Sequence, residues 1–198
     1  MKEFDIAIIG AGASGCMCAL QAGKNGKKIL MIDKNNLAGK KLMATGNGRC
    51  NLTNTNLNVD FAYNQKIDKY FQIFDNNDTI KYFQTLGLEV YEDEEGRVYP
   101  LSNSAKSVID VINNQLSKYK NITLQLETNV EKIEKNGEKY VIFTDKGNFL
   151  AEKLVLATGG NTALQVVEEF NIEHNPFTPS LCALKTESTK FLANTRIS

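Results

Sequence analysis

The sequence has no excess charge of either sign, a single histidine, no C-x-x-C pair and no apolar run long enough to cross a membrane. Each absence removes a class of function. Lysine plus arginine and aspartate plus glutamate both number 23, so nothing global favours nucleic acid or an acidic membrane as partner. Of the four cysteines, Cys16 and Cys18 lie two apart in a helical pattern and point to different faces, while Cys50 and Cys182 stand alone. That spacing supports neither a metal centre nor a disulfide scaffold. His174 is expected to be structural or exposed rather than a ligand or a base. The N-terminal apolar run is one strand long and leads into glycines instead of a cleavage site, so a cytoplasmic location with no membrane partner is expected. At 198 residues the chain can bury a sizeable core as one domain or one and a half.

What is present is concentrated in the first 33 residues. Phe4-Asp5-Ile6-Ala7-Ile8-Ile9 has the composition of a buried parallel strand, and it stops at Gly10-Ala11-Gly12-Ala13-Ser14-Gly15, a G-x-G-x-x-G turn. A helix is predicted from Ala13 to Lys24, stopped by Asn25-Gly26-Lys27, with Gly26 suited to the left-handed C′ position. A second strand, Lys28-Ile29-Leu30-Met31-Ile32, delivers Asp33 at its carboxyl end. In such a βαβ unit Gly10 makes the tight turn, Gly12 admits a pyrophosphate to the backbone, and Gly15 lets helix and strand pack closely. The free N–H groups of the helix start, at Gly12, Ala13 and Ser14, face the phosphates. Asp33, with Lys34 beside it, would accept hydrogen bonds from adenosine ribose hydroxyls and repel a 2′-phosphate, which argues against NADP in this site. Ala19 and Gly26 extend the pattern to GxGxxGxxxAxxxxxxG, which resembles the FAD-binding, glutathione-reductase-like flavoproteins.

Residues 39–54, GKKLMATGNGRCNLTN, follow the βαβ unit directly. A segment leaving the carboxyl end of a strand in an open α/β sheet lies over the ligand crevice. The bland alternative is a surface loop with local Asx turns. Together with the GAGASG turn, this stretch closely resembles the BaiN/YhiN-type FAD-dependent oxidoreductases, whose members include aminoacetone oxidase-like and bile-acid reductase-like flavoproteins. The resemblance implies FAD as cofactor, with Lys40, Lys41 and the loop Gly46, Asn47, Gly48, Arg49, Cys50 and Asn51 lining the flavin side. Arg49 is the candidate cation for tuning the reduced ring, and no acid, base or nucleophile stands out. Cys50 lacks the second cysteine of a flavoprotein disulfide reductase and reads as a packed thiol.

Residues 57–120 read as a mainly helical excursion. Ile67, Tyr70, Phe71 and Phe74 form a helical aromatic stripe expected to be core, Asp78 or Thr79 is expected to cap a helix stopped by Gly87, and Ser104 opens another. An acidic turn at residues 92–96 joins two short strands. Gly96-Arg97-Val98-Tyr99-Pro100-Leu101-Ser102 resembles the family's G-R-x-[FY]-P-x-S segment. Residues 121–152 are expected to form a β-meander with a hairpin at Asn136-Gly137, and the resemblance places a backbone group near Val130 against the adenine. Residues 153–160 give a third buried strand ending in Ala157-Thr158-Gly159-Gly160, a turn that similar flavoproteins set beside the cofactor's diphosphate or ribose.

The resemblance breaks in two places. The S-Y-P-x-x-G-S-x-G-D-G-Y segment that relatives carry after A-T-G-G is replaced by a helical pattern near residues 161–170, and the family pattern resumes at Pro179-Ser180-Leu181-Cys182-Ala183-Leu184. Relatives are about twice as long, and residues 180–198 correspond to the start of their inserted domain. The expectation is therefore an α/β Rossmann-like FAD-binding domain that is the N-terminal portion of an oxidoreductase. Hydride would pass between a small organic substrate and flavin N5, with NAD(P)H as candidate reductant. Three alternatives remain open: a non-catalytic nucleotide-binding fragment, an FAD-dependent tRNA-modifying protein, and an NAD-dependent dehydrogenase. A short chain of this kind is expected to bind FAD weakly and to turn over slowly.

Overall fold

A computed structural model describes residues 1–57, 68–160, 168 and 170–174. Ile67, Cys182, the helical pattern over 161–167, the Pro179–Leu184 motif and the 180–198 segment lie outside the described residues. The chain begins as its pattern predicts, with β1 (Lys2–Ile9), α1 (Ala13–Lys24) and β2 (Ile29–Ile32). Gly26 has φ +75° just past the Asn25 cap of α1, as a helix stop requires. β1 pairs parallel with β2 from Ile6↔Ile29 to Ile9↔Ile32. β2 is buried at all four positions, as expected for a strand covered on both faces.

Beyond β2 come a kinked 3₁₀ segment (Lys40–Gly48), β3 (Thr53–Asn54), α2 (Asp68–Phe71), α3 (Asn76–Thr85), β4 (Val90–Glu92), β5 (Arg97–Pro100) and α4 (Ala105–Ser117). They are followed by β6 (Ile122–Gln125), β7 (Val130–Asn136), β8 (Lys139–Thr144) and β9 (Gly147–Leu156). The main sheet has the order β6-β2-β1-β9-β8-β7, and a small sheet runs β3-β5-β4. Ile8, Ile29 and Met31 pack beneath α1 and α4 with Leu20, Val108 and Ile112. Their alternates Ala7, Ile9, Leu30 and Ile32 face the other way, against Ile133, Ile142 and Phe149. This is the period-two division of a two-sided strand.

Four expectations are corrected. Ile122–Gln125 does not begin the meander. It pairs parallel with β2, Ile29↔Ile122 through Ile32↔Gln125, because α4 carries the chain across to the sheet's edge. Alternation marks a half-buried strand but not its partner. The last meander strand and the A-T-G strand are one element: β9 pairs antiparallel with β8 and parallel with β1 along its length. The aromatic stripe is not core, since Tyr70 and Phe74 are 59% and 43% exposed. α2 ends at Phe71, so Phe74 does not continue its helical face. Residues 40–48 are turns and not open loop, kinked where Gly46 and Asn47 adopt positive φ.

The start of α3 also shifts. Asp75, not Asp78 or Thr79, caps α3, in a reciprocal box in which its carboxylate accepts the Asp78 N–H and Asp78 accepts the Asp75 N–H. The Asp78 N–H holds the Asp75 carboxyl below its ordinary range. A depressed carboxyl stabilises the fold at neutral pH and loses that contribution as pH falls through the folded-state pKa. Asp75→Asn keeps an acceptor at the cap but no charge. The gap in melting temperature between wild type and Asp75→Asn should be widest near neutrality and close as pH drops below about 4. Thermal scans across pH measure it, and a pH-independent gap would contradict the cap.

Candidate functional site

The carboxyl ends of β1, β2 and β9 open on one crevice of about 570 Å³. Its wall is built from residues 10–14, 33–35, 40–42, 45, 128–133 and 157–159. This is where an open α/β sheet binds ligands. The three fingerprint glycines do three different things. Gly10 turns at φ +106°, and a Cβ there would lie 2.5 Å from the Ala157 carbonyl oxygen. A Cβ on Gly15 would lie 1.9 Å from the Gly10 carbonyl oxygen, so this glycine sits under the turn and sets how closely α1 approaches β1. A Cβ on Gly12 would meet nothing within 4 Å, and Gly12 lines the crevice.

Gly12 is the N-cap of α1, which has no side-chain cap and no acid in its first turn. Its first N–H groups have no intrahelical acceptor, and with the dipole they make an anion-binding end facing the crevice. At the far end Thr158 Oγ1 is buried and, among the described residues, without a hydrogen-bond partner. Buried hydroxyls are normally satisfied, so this one calls for a ligand group or an ordered water. Lys41 Nζ donates to the Thr158 carbonyl at 3.1 Å, tying the 40–48 segment to the A-T-G turn. Lys34, Lys40 and Lys41 are exposed at the rim.

Asp33 is half-buried and heavily engaged. Its Oδ2 accepts the Ala11 N–H at 2.7 Å, and its Oδ1 accepts both the backbone N–H and the side-chain amide of Asn35, each at 2.8 Å. Asn35 and the buried Thr128 line the crevice and were missed by the sequence reading. An Asx turn following the strand-end acid was the available signal for Asn35; Thr128 carries none.

The structure thus gathers Gly10, Gly12, Ala13, Ser14, Asp33, Lys34, Lys40, Lys41, Val130, Ala157, Thr158 and Gly159 around one crevice. It does not bring Gly46, Asn47, Gly48, Arg49, Cys50 and Asn51 to that wall. The Arg49 guanidinium stacks 4.2 Å from the Tyr99 ring centroid, and its Nε donates to the Gly46 carbonyl at 3.2 Å. Cys50 and Asn51 face a second, smaller cavity of about 350 Å³ with Met17, Phe74, Phe83 and Val108. Burial pushes the Cys50 thiol up, and burial with the Asp33 charge pushes Cys16 up to about 12, so neither is a thiolate at neutral pH. His174 is exposed. No helix among the described residues is long and apolar enough to cross a membrane.

Comparison with known proteins agrees with this architecture. The 3-dehydro-bile acid delta(4,6)-reductase of Clostridium scindens is 28% identical over 200 residues, covering 94% of this chain and 48% of that protein. The ribosomal RNA dihydrouridine synthase of Escherichia coli is 31% identical over 163 residues, covering 81% of this chain and 40% of that protein. The chain therefore spans about half the length of the curated relatives it matches. Among solved structures, Thermovibrio ammonificans THI4 superposes with a TM-score of 0.57 at 15% identity, over 86% of this chain and 64% of that one. The p-nitrophenol 4-monooxygenase PnpA of Pseudomonas putida gives 0.51 at 15% identity, over 84% and 44%. Both show the fold alone. The profile of the HI0933-like protein Rossmann domain matches residues 4–167, and the chain belongs to that family.

Proposed function

We propose that this chain forms the FAD-binding portion of a flavin-dependent oxidoreductase that reduces a carbon–carbon double bond in an organic substrate. The crevice carries the reading. It runs from Asp33 and Val130, past the uncapped start of α1, to the unpartnered Thr158 hydroxyl. In this reading residues 33–35 and 128–130 enclose the adenosine, and the N–H groups of residues 12–14 hold the diphosphate. Thr158 Oγ1 receives a polar group of the cofactor's middle, and Lys41 carries compensating charge. The 46–51 loop, with Arg49 held over Tyr99, is the flavin-side wall, and Arg49 remains the candidate cation for the reduced ring. FAD, when bound, supplies hydride transfer at N5 of its isoalloxazine, and the protein binds, orients and tunes it.

A bile-acid delta(4,6)-reductase and a dihydrouridine synthase both saturate a carbon–carbon double bond, one in a small molecule and one in RNA. The balanced charge of this chain favours a small-molecule substrate over RNA, and a nicotinamide dinucleotide is the electron donor of this reading. The second reading, a uridine in RNA, rests on the dihydrouridine synthase likeness. It predicts strongly salt-dependent retention on RNA, which the first does not. A nucleotide-binding protein with no catalysis of its own is the third.

The test is a titration of apoprotein with FAD, FMN and ADP, followed by visible absorption. FAD should bind and FMN should not. Because the crevice residues account for the ADP half, ADP should displace FAD with an affinity within about tenfold of the cofactor's, a gap of roughly 1.4 kcal/mol. Equal binding of FMN and FAD, with ADP inert, would overturn the assignment.

A further inference from the structure

The second cavity, of about 350 Å³, has a chemistry unlike that of the crevice. Met17 of α1, Leu42 of the 3₁₀ segment, Leu52, Phe83 of α3, and Val108 and Ile112 of α4 line it. Phe74 and Tyr82 add an aromatic wall. Their rings meet edge to face at 6.5 Å between centroids, and Tyr82 meets Phe83 in the same way at 5.7 Å. No charged side chain lines this space among the described residues. Its polar groups are few and neutral. Ser14, Asn51 and Tyr82 have no side-chain hydrogen-bond partner among the described residues. Thr79 Oγ1 donates to the Asp75 carbonyl at 2.9 Å and can still accept. An apolar and aromatic lining with a few polar groups, in a space of about 300 Å³ or more, is the make-up of a small-molecule site. One wall rests on unusual backbone. Cys50 adopts φ +62°, a region that residues with a Cβ seldom enter. Such strain persists only where the surroundings impose it, and here the Cys50 N–H is held by the Thr45 carbonyl at 3.1 Å. The turn buries the Cys50 thiol and leaves Asn51 exposed at the cavity.

We propose that this cavity binds the apolar body of a neutral, ring-bearing organic molecule, with a carbonyl or hydroxyl of that molecule paired to Asn51 or Tyr82. An ion placed here would lose its water and meet no counter-charge, which excludes charged ligands. A neutral ring system leaves water for the aromatic wall and the α4 side chains and gains from the burial. An extended peptide suits the space less well, because every residue of it brings a backbone N–H and carbonyl that need partners. Calling the occupant the substrate rests on the cofactor reading above; the site and its chemistry do not. Ala13, Ser14 and Leu42 line both the cavity and the crevice, and Cys50 and Asn51 belong to the loop assigned to the flavin side. A molecule seated here therefore lies beside a bound cofactor, across a wall that the two spaces share.

The experiment uses two fluorescent dyes with the same ring skeleton, neutral N-phenyl-1-naphthylamine and its sulfonated counterpart 8-anilino-1-naphthalenesulfonate. Both are titrated against the full chain with ADP in excess, to keep them out of the crevice. The neutral dye should bind saturably at a single site, and the sulfonate at least about tenfold more weakly. Met17→Lys brings a charge to the lining and Leu52→Trp fills the space. Each should weaken the neutral dye at least about tenfold. Ile73→Ser is the control on the neighbouring apolar surface, where Ile73 is 77% exposed, and should change nothing. Equal binding of the two dyes, binding that does not saturate, or affinity lost in Ile73→Ser but kept in both cavity variants would overturn the proposal. Should both cavity variants fail to melt cooperatively, the ratio of the two dyes and the stoichiometry on wild type decide. FAD is titrated into the same samples. FAD binding without binding of the neutral dye would overturn this inference and leave the cofactor reading intact. Dye binding to a chain that takes no FAD would support the ligand site and remove its occupant's standing as a substrate.

Discussion

Gly15→Ala is expected to cost the chain a large part of its stability. The new methyl carbon would lie 1.9 Å from the Gly10 carbonyl oxygen, 3.1 Å from its carbon and 3.3 Å from Ala157 Cβ. The first two are backbone atoms of the strand-to-helix turn and cannot swing aside. Relief requires moving α1 off β1, and α1 contributes Cys16, Ala19 and Leu20 to the buried layer over Ile8 and Met31. Overpacking typically costs about 1–3 kcal/mol, and a clash with fixed backbone belongs at or above the top of that range. Against a net stability of roughly 5–15 kcal/mol the variant should unfold at much lower urea or fail to accumulate. Gly23→Ala is the control on the same helix, because its Cβ would meet the tip of Ile122 at 2.8 Å, a side chain that can turn away. A Gly15→Ala transition within about 1 kcal/mol of wild type would mean that helix and strand do not approach this closely.

These glycines show what the sequence could and could not reveal. α1 was readable to the residue because a glycine turn starts it and Asn25-Gly26 stops it, and both are local chemistry. Ser104 as the cap of α4 was readable for the same reason, and Val108, Ile109, Ile112 and Leu116 form that helix's buried face. Partners were not. The alternation of Ile122–Gln125 fits a meander as well as the parallel edge it occupies, and only the crossover through α4 decides. The crevice was legible in outline because the fingerprint fixes its floor, while its side wall comes from the distant β6–β7 connection. Arg49 illustrates the limit most sharply. Its setting was hidden: nothing local announces Tyr99, fifty positions on, as the ring it stacks against. Asp33 was legible as a site residue, but its bonds to Ala11 and Asn35 depend on how the turn folds back over the strand end.

Gly12→Ala should have the opposite signature: an intact fold with a damaged site. Gly12 sits at φ −77° and ψ −169°, ordinary extended backbone that alanine adopts without strain. No protein atom lies within 4 Å of where its Cβ would be. Alanine is a poorer N-cap than glycine by up to about 1 kcal/mol. It also restricts the unfolded chain, which returns roughly 0.4–1 kcal/mol, so the two effects offset. The melting temperature should therefore stay close to wild type. Gly12 lines the crevice, and in the proposed site its methyl would crowd the diphosphate, which has to come within about 2.9 Å of backbone nitrogen at the α1 start. Displacing a phosphate by an ångström lengthens several charge-assisted bonds at once, each worth roughly 1.5–3 kcal/mol. Affinity for both ADP and FAD should fall by at least about a hundredfold, or 2.7 kcal/mol. Titration of the variant with ADP measures this, and adenosine, which has no phosphate, provides the control whose weak binding should not change. A variant that binds ADP as wild type does would place the diphosphate away from α1. One that unfolds would show that Gly12, like Gly15, serves packing.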